Sequence, residues 1–208
     1  MFKVFLLFIL FFNMTFAQFS STISPINSTI KHKMIQGHSY KRGCPVGLKN
    51  LRYIELIHKD FNDRDKKGVL IVHHSVTKDI VNIFRELYAI KYPIKKMRLV
   101  SNYKAKDWVS IEADNTSAFN CRSVGGTHRW SRHSFGKAID INPIENPYIS
   151  RSGYISHKAS LKYKKRAKKK HKAMILRNDK VTKIFKKYGW QWGGNFKGEK
   201  DYQHFFKK

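Results

Sequence analysis

Hydrophobic and polar positions along the chain mark out a small set of elements. Tyr53 to Phe61 and Gly68 to His74 are two strand-like runs. The polar stretch Asn62 to Gly68 lies between them, which predicts a β-hairpin. Val69, Leu70, Ile71 and Val72 are mostly β-branched and suit a buried strand. Next, Ile80, Ile83, Phe84, Leu87 and Tyr88 fall at i, i+3, i+4, i+7 and i+8, one apolar face of a helix. Ser75 or Thr77 is placed to cap it, and Pro93 to end it. Met97 to Tyr103 reads as a strand and Asp114 to Gly126 as a polar loop. Lys137 to Asn142 reads as a short strand, and Pro143 and Pro147 break the stretch after it. A second amphipathic helix is marked by Val181, Ile184, Phe185 and Tyr188, with Asn178 near its start and Gly189 just past its end. Trp190 to Trp192 predicts a strand, turned by Gly193-Gly194. Helices and strands do not alternate as βαβ units, so the class is α+β, with a small antiparallel sheet and flanking helices.

The N-terminal segment has a different character. Lys3 is followed by an unbroken apolar run from Val4 to Phe12, then by Thr15-Phe16-Ala17. That layout predicts a signal peptide over residues 1–17, because the run falls short of the roughly 20 residues a membrane span needs. Residues 18–42 are rich in Ser, Thr, Asn, Lys and His and read as a flexible lead-in. The remainder, 43–208, is one domain's worth of chain. After cleavage no span would remain, and the protein is expected in the secreted, periplasmic or cell-envelope space as a monomer.

Charge alters the choice of partners. The formal net charge is +28 over 208 residues, which favours polyanions. Export weighs against nucleic acid as the working substrate and points to anionic cell-wall polymers instead. The most basic stretch, His157 to Lys172, is expected to be exposed and to act as an electrostatic anchor, or simply as a solvated face. Cys44 and Cys121 are not in a C-x-x-C pair, so they are poor metal ligands. In an oxidising compartment they are expected to form a disulfide.

The chemistry is concentrated in Ser131 to Pro143 and in the C-terminus. His133 and Asp140 are six residues apart with Gly136 between them, and a glycine there lets the chain turn both side chains toward one point. Zinc takes imidazole and carboxylate ligands, and His204 can supply a third. Three protein ligands leave a position open, as catalytic zinc sites do. Asp201 precedes His204 by three residues. On a helix the two share a face; on a strand they need a bulge or bend to converge. Taken singly, each residue suits an ordinary role: a surface histidine at 133, a turn carboxylate at 140, a core histidine at 204.

Together they match a pattern. Ser131 to Pro143 resembles the S-x-H-x-x-G-x-A-x-D signature of the D-alanyl-D-alanine carboxypeptidase and L-alanyl-D-glutamate endopeptidase zinc peptidases, the VanY-like group. Asn115 to Arg122 and the tail from Trp190 through Phe205 resemble other motifs of the same family, in the same order. The resemblance runs from about Gly43 to the end. It implies the α+β Hedgehog/DD-peptidase fold, and zinc held by His133, Asp140 and His204. It also implies Asp201 as the catalytic base, Arg122 as the group that steadies substrate or oxyanion, and Ser131 as a hydrogen-bonding residue beside the substrate. The implied substrates are peptidoglycan stem peptides. His73 and His74 read as structural or surface residues, and Trp190 and Trp192 as cleft or core.

Two other readings compete. One is a non-catalytic basic module that holds anionic wall polymer or nucleic acid. The other is a zinc hydrolase of phosphodiesters, a chemistry that often uses paired metals. The motifs serve both carboxypeptidases and endopeptidases, so they leave the scissile bond undetermined.

Overall fold

The computed structural model describes residues 18–167 and 171–208. The expected signal peptide at 1–17 lies outside the described residues. The architecture is α+β. Strands β1 (Ser21–Pro25), β2 (Leu51–Lys59) and β3 (Asp65–His73) form an antiparallel sheet in that order. The expected hairpin is β2–β3, with Ile54 opposite Leu70. Its turn is held by Asp60, whose Oδ1 accepts the Asn62 and Arg64 amides at 2.8 and 3.0 Å. Burial opposes ionisation of Asp60, but these bonds and the Arg64 guanidinium outweigh it and bring the carboxyl down to about 2.

Both faces of the hairpin are apolar, and both are covered. Alternation sends Ile54, Leu56, Leu70 and Val72 into the main core, and Leu51 and Ile71 into a second cluster on the opposite face. Helix α1 (Ser28–Gln36) belongs to that second face, where its Met34 is fully buried. Residues 18–42, expected as a flexible lead-in, therefore carry a paired strand and a packed helix. The polar composition misleads because Asn27 caps α1 by accepting the Ile30 amide, and β1 gains its order from pairing with β2.

Helix α2 (Thr77–Ala89) buries Ile80, Ile83, Phe84 and Leu87 as expected. Its start is not capped by a side chain: Val76 stands at the cap, and the Thr77 hydroxyl donates to His74 O. The helix ends at Ala89, before Pro93, as Lys91 enters the left-handed region. The strand expected over 97–103 shrinks to β4 (Lys96–Met97), which pairs in parallel with β5 (Asn115–Thr116). Residues Val100–Tyr103 form a 3₁₀ turn instead, and α3 (Asp107–Glu112) comes next.

The C-terminal part brings three separated strands together. Strand β6 (Ala138–Asp140) lies beside β10 (His204–Phe206), which also pairs with β8 (Gln191–Trp192), all antiparallel. Strand β7 (Tyr148–Ile149) pairs with β9 (Lys200–Asp201). Helix α4 (Lys180–Lys187) packs Phe185 on Phe205, with ring centroids 3.8 Å apart. Both rings are fully buried, and truncating either to alanine costs about 3–5 kcal/mol. Trp190 and Trp192 also belong to this core, which answers the choice between cleft and packing. Cys44 and Cys121 are joined in a disulfide, as expected.

The stretch 157–172 departs from the exposed basic face that was expected. His157, Ser160 and Tyr163 are buried. Arg166 turns inward, donating to the carbonyls of Glu145 and Ile175 at 2.7 and 2.6 Å and to Asn146 Oδ1 at 3.0 Å. Burial pulls its guanidinium down to about 10, yet that leaves it cationic at neutral pH. Charge density alone does not separate such a brace from the exposed Lys158, Lys162, Lys164 and Lys165 around it.

Candidate metal and catalytic site

A 3₁₀ turn, Arg132–Phe135, carries the first candidate ligand. Ser131 caps it, its Oγ accepting the His133 amide at 3.3 Å. Gly136 ends it with φ at +66°, and a Cβ there would come within 2.6 Å of the His73 amide nitrogen. Only glycine satisfies both conditions without displacing β3. The chain then enters β6, so Asp140 arrives opposite His204 of β10 in the antiparallel register.

The three side chains converge. His133 Nε2 lies 3.2 Å from Asp140 Oδ2 and 3.2 Å from His204 Nδ1, and His204 Nδ1 lies 2.9 Å from Asp140 Oδ1. One donor atom from each falls within 4.8 Å of the others. His133 and His204 are buried and Asp140 nearly so. The opposite ring nitrogen of His133, Nδ1, sits 2.5 Å from Ala118 O. That contact makes Nδ1 a protonated nitrogen and turns Nε2 toward the cluster, where it gives up the proton shared with Asp140 when it ligates a metal. The set is two imidazole nitrogens and one carboxylate, a donor set that fits zinc.

Electrostatics obey the geometry. Burial alone would raise the Asp140 carboxyl. The His133 charge and hydrogen bonds from both imidazoles overcome this and hold it well below the usual carboxylate range. Burial likewise lowers His133, but the charge and hydrogen bond of Asp140 raise it above its ordinary value.

Asp201 reaches the same region through a bend. Strand β9 ends at Asp201, and β10 starts at His204. Between them the Tyr202 carbonyl accepts the Trp192 indole N–H at 2.8 Å, and the Gln203 carbonyl accepts the Ile141 amide at 3.1 Å. Of the two geometries the spacing allowed, the bent strand is the one adopted. Gly193 backs the bend, since a Cβ there would lie 2.6 Å from Asp201 O. Asp201 Oδ1 is shut off from solvent with no hydrogen-bond partner among the described residues. Burial pushes its carboxyl up to about 6, with Asp140 adding to the rise and the two histidines opposing it. An orphaned buried carboxylate oxygen beside convergent ligands suits a group that waits for a proton.

Arg122 comes directly after the disulfide-bonded Cys121, on a loop fastened at several points. The Cys121 amide donates to Ser39 O at 3.0 Å, and Phe119 N donates to Ile71 O at 3.1 Å. Ser134 ties this loop to the ligand turn: its Oγ accepts the Arg122 amide at 2.9 Å and contacts Asn120 O and Arg122 O at 3.1 and 2.7 Å. The Arg122 Nε is ion-paired with Asp107 at the start of α3, and the same carboxylate accepts Asn120 Nδ2 at 3.0 Å. Ser134, Asp107 and Asn120 were not singled out from the sequence. Their only signal was position, Ser134 beside His133 and Asn120 inside the Arg122 motif.

Ser131, expected beside the substrate, is buried, and its hydroxyl is used in capping the His133 turn. His73 and His74 lie apart from the ligand cluster and contact each other.

Residues 125–207 match the family model described as D-alanyl-D-alanine carboxypeptidase. Over this segment the chain is similar to that peptidase family, the one its motifs resemble. All three convergent ligands and Asp201 fall inside the match, while Arg122 lies just ahead of it. No curated protein and no solved structure matches the chain. Among the described residues no helix is long and apolar enough to cross a membrane.

Proposed function

We propose that this chain is an exported zinc metallopeptidase that hydrolyses a peptide bond in peptidoglycan stem peptides. The observation that carries the reading is the convergence of His133, Asp140 and His204 inside the segment that matches the peptidase family. These three side chains would hold the ion. When bound, zinc supplies Lewis acidity and makes water nucleophilic at neutral pH. The chain's own groups do the rest. Asp201 takes the water's proton and passes it to the leaving amine, a role suited to a carboxylate raised to about 6. Arg122 offers a rigid fork of donors to a substrate carboxylate or a developing oxyanion, with Asp107 fixing its orientation. Ser131 acts through the turn it caps, by setting where His133 points.

A pure binding module has no need for three convergent ligands together with a buried carboxylate oxygen that has no hydrogen-bond partner among the described residues. Both the D-alanyl-D-alanine carboxypeptidase and the L-alanyl-D-glutamate endopeptidase reactions are compatible with this constellation.

The test is incubation with defined muropeptides, with and without chelator, and mass analysis of the products. We expect zinc-dependent cleavage that chelation abolishes and zinc restores. The products identify the bond: release of a single D-alanine marks the carboxypeptidase, and a cut after L-alanine the endopeptidase. Asp201→Asn is expected to lower kcat by about 10²–10⁴-fold, the usual contribution of a general base, with zinc content unchanged. A protein that binds no zinc, or an Asp201→Asn variant with full activity, refutes the mechanism.

A further inference from the structure

The 3₁₀ turn that carries His133 has a second face. With three residues per turn, positions 132 and 135 project together, while 133 and 134 point elsewhere. His133 faces the ligand cluster and Ser134 faces the Arg122 loop. Arg132 and Phe135 instead line an open groove of about 760 Å³, together with Val124, Arg129, Trp130 and Lys137.

This groove combines two unsatisfied features. Val124 and Phe135 are each 41% exposed, so its floor offers apolar surface to solvent. Arg129, Arg132 and Lys137 have no carboxylate within ion-pair distance among the described residues. Arg132 lies over the Phe206 ring at 3.9 Å, which fixes the guanidinium without neutralising it. The acid on the groove wall, Glu199, is already paired with Arg151 at 2.8 Å, and Lys207 with Asp79 at 2.6 Å. Cations held on an apolar floor recognise a ligand that is both anionic and apolar. A polyanion without side chains, such as polyphosphate, has no use for Phe135 and Val124, whereas an acidic peptide matches both features.

We propose that this groove binds an acidic peptide segment, its carboxylates against Arg129, Arg132 and Lys137 and its apolar side chains on Val124, Trp130 and Phe135. The inference deepens the peptidase reading, on which it rests for the ligand's connection to a scissile bond. It places a charged and apolar binding surface on the second face of the His133 turn, and it moves the useful positive charge away from the basic stretch at 157–172.

Binding can be measured without turnover. The full chain, kept in chelator, is titrated with a labelled hexapeptide of alternating leucine and glutamate, with its glutamine counterpart, and with inorganic polyphosphate. The glutamate peptide is expected to bind about tenfold tighter than the glutamine one. The double variant Arg129→Gln/Lys137→Gln should remove most of that tenfold, which lies within what two exposed ion pairs contribute. Val124→Ser should weaken both peptides by a few-fold through lost apolar contact. A double variant outside the groove, Lys183→Gln/Lys186→Gln, should leave the preference intact. Equal binding of the two peptides overturns the proposal. So does an equal loss in the outside variant, or polyphosphate binding that depends on the groove pair and exceeds that of the glutamate peptide. Because no bond is cut, failure here leaves the zinc peptidase reading standing, and failed muropeptide cleavage leaves this result standing.

Discussion

Two buried carboxylate clusters in this protein have opposite electrostatics. In one, Asp140 meets His133 and His204, and the partners' charge and hydrogen bonds keep it ionised against burial. In the other, Glu145 meets Asp114: burial raises both, Asp114 raises Glu145 further, and the hydrogen bond from Glu145 only partly offsets the rise of Asp114. The first gathers three donor atoms around one point, with Asp201 close enough to feel them. In the second, Asp114 accepts the Ile144 amide at 3.1 Å, and the Glu145 carbonyl accepts Arg166 at 2.7 Å. The difference separates a site from a brace. A carboxylate held anionic amid neutralising donors is ready for a cation, whereas two acids that share a proton hold a turn in place.

The comparison breaks most sharply at Asp140. Asp140→Ala removes the only anion among the three convergent donors. It is expected to weaken zinc binding by well over the about 10–100-fold typical of losing a supporting partner, and to abolish peptidase activity. Glu145→Gln should leave zinc affinity unchanged. Titration of the two variants with zinc, read by calorimetry, decides it. If Asp140→Ala binds zinc as tightly as the parent, the cluster is not the metal site.

A smaller effect is expected at Asp107, which touches neither cluster. Asp107→Asn keeps a hydrogen-bonding side chain for Asn120 but loses the ion pair that fixes Arg122. Activity should fall by roughly 10–100-fold, on the scale of losing a positioning partner. The loss should fall on KM if Arg122 grips a substrate carboxylate, and on kcat if it meets charge that develops only in the transition state. Unchanged kinetics would mean that Arg122 needs no orienting partner.

How much of this was legible in the sequence differs between the two clusters. The hairpin, α2, α4 and the strand carrying Asp140 can be read from hydrophobic period, and the ligand set from motif order. His133, Asp140 and His204 could be grouped because their motifs resemble those of one peptidase family in the same order, whereas spacing alone left each an ordinary role. Asp114 and Glu145 could not, because they are 31 residues apart in sequence (145 minus 114) with no shared pattern. Their meeting depends on how the segment after β6 folds back. The packed lead-in was missed for a related reason. Pairing of β1 with β2 and burial of Met34 are tertiary effects, which a polar composition conceals. Arg166 shows the reverse error, a buried brace hidden inside a run of exposed lysines.

The least disruptive change is also the one that tests the brace by itself. Burial and the neighbouring Asp114 raise Glu145 from the ordinary value of 4.5 to about 8. Below pH 4.5 the folded and unfolded chains both carry this proton, and the group is neutral to the balance. Between 4.5 and 8 the unfolded chain gives the proton up while the folded chain keeps it. The unfolded state therefore binds fewer protons, and stability falls as pH rises through that window. Asp114 is raised too and adds to the fall with the same sign. Asp140 works the other way: its stabilisation is present above the ordinary carboxylate range and is lost only under strong acid. Glu145→Gln replaces the neutral acid by a neutral amide, so thermal unfolding between pH 5 and 8 should lose this part of its slope, and Tm at pH 8 should rise relative to the parent. Each kcal/mol recovered corresponds to about 2–4 °C for a chain of this size. Peptidase activity at pH 7 should stay within about twofold, because the side chain lies outside the ligand cluster. An unchanged slope in Glu145→Gln would show that the two acids are not sharing a proton in the folded protein, and the contrast with Asp140 would fail at its weaker end.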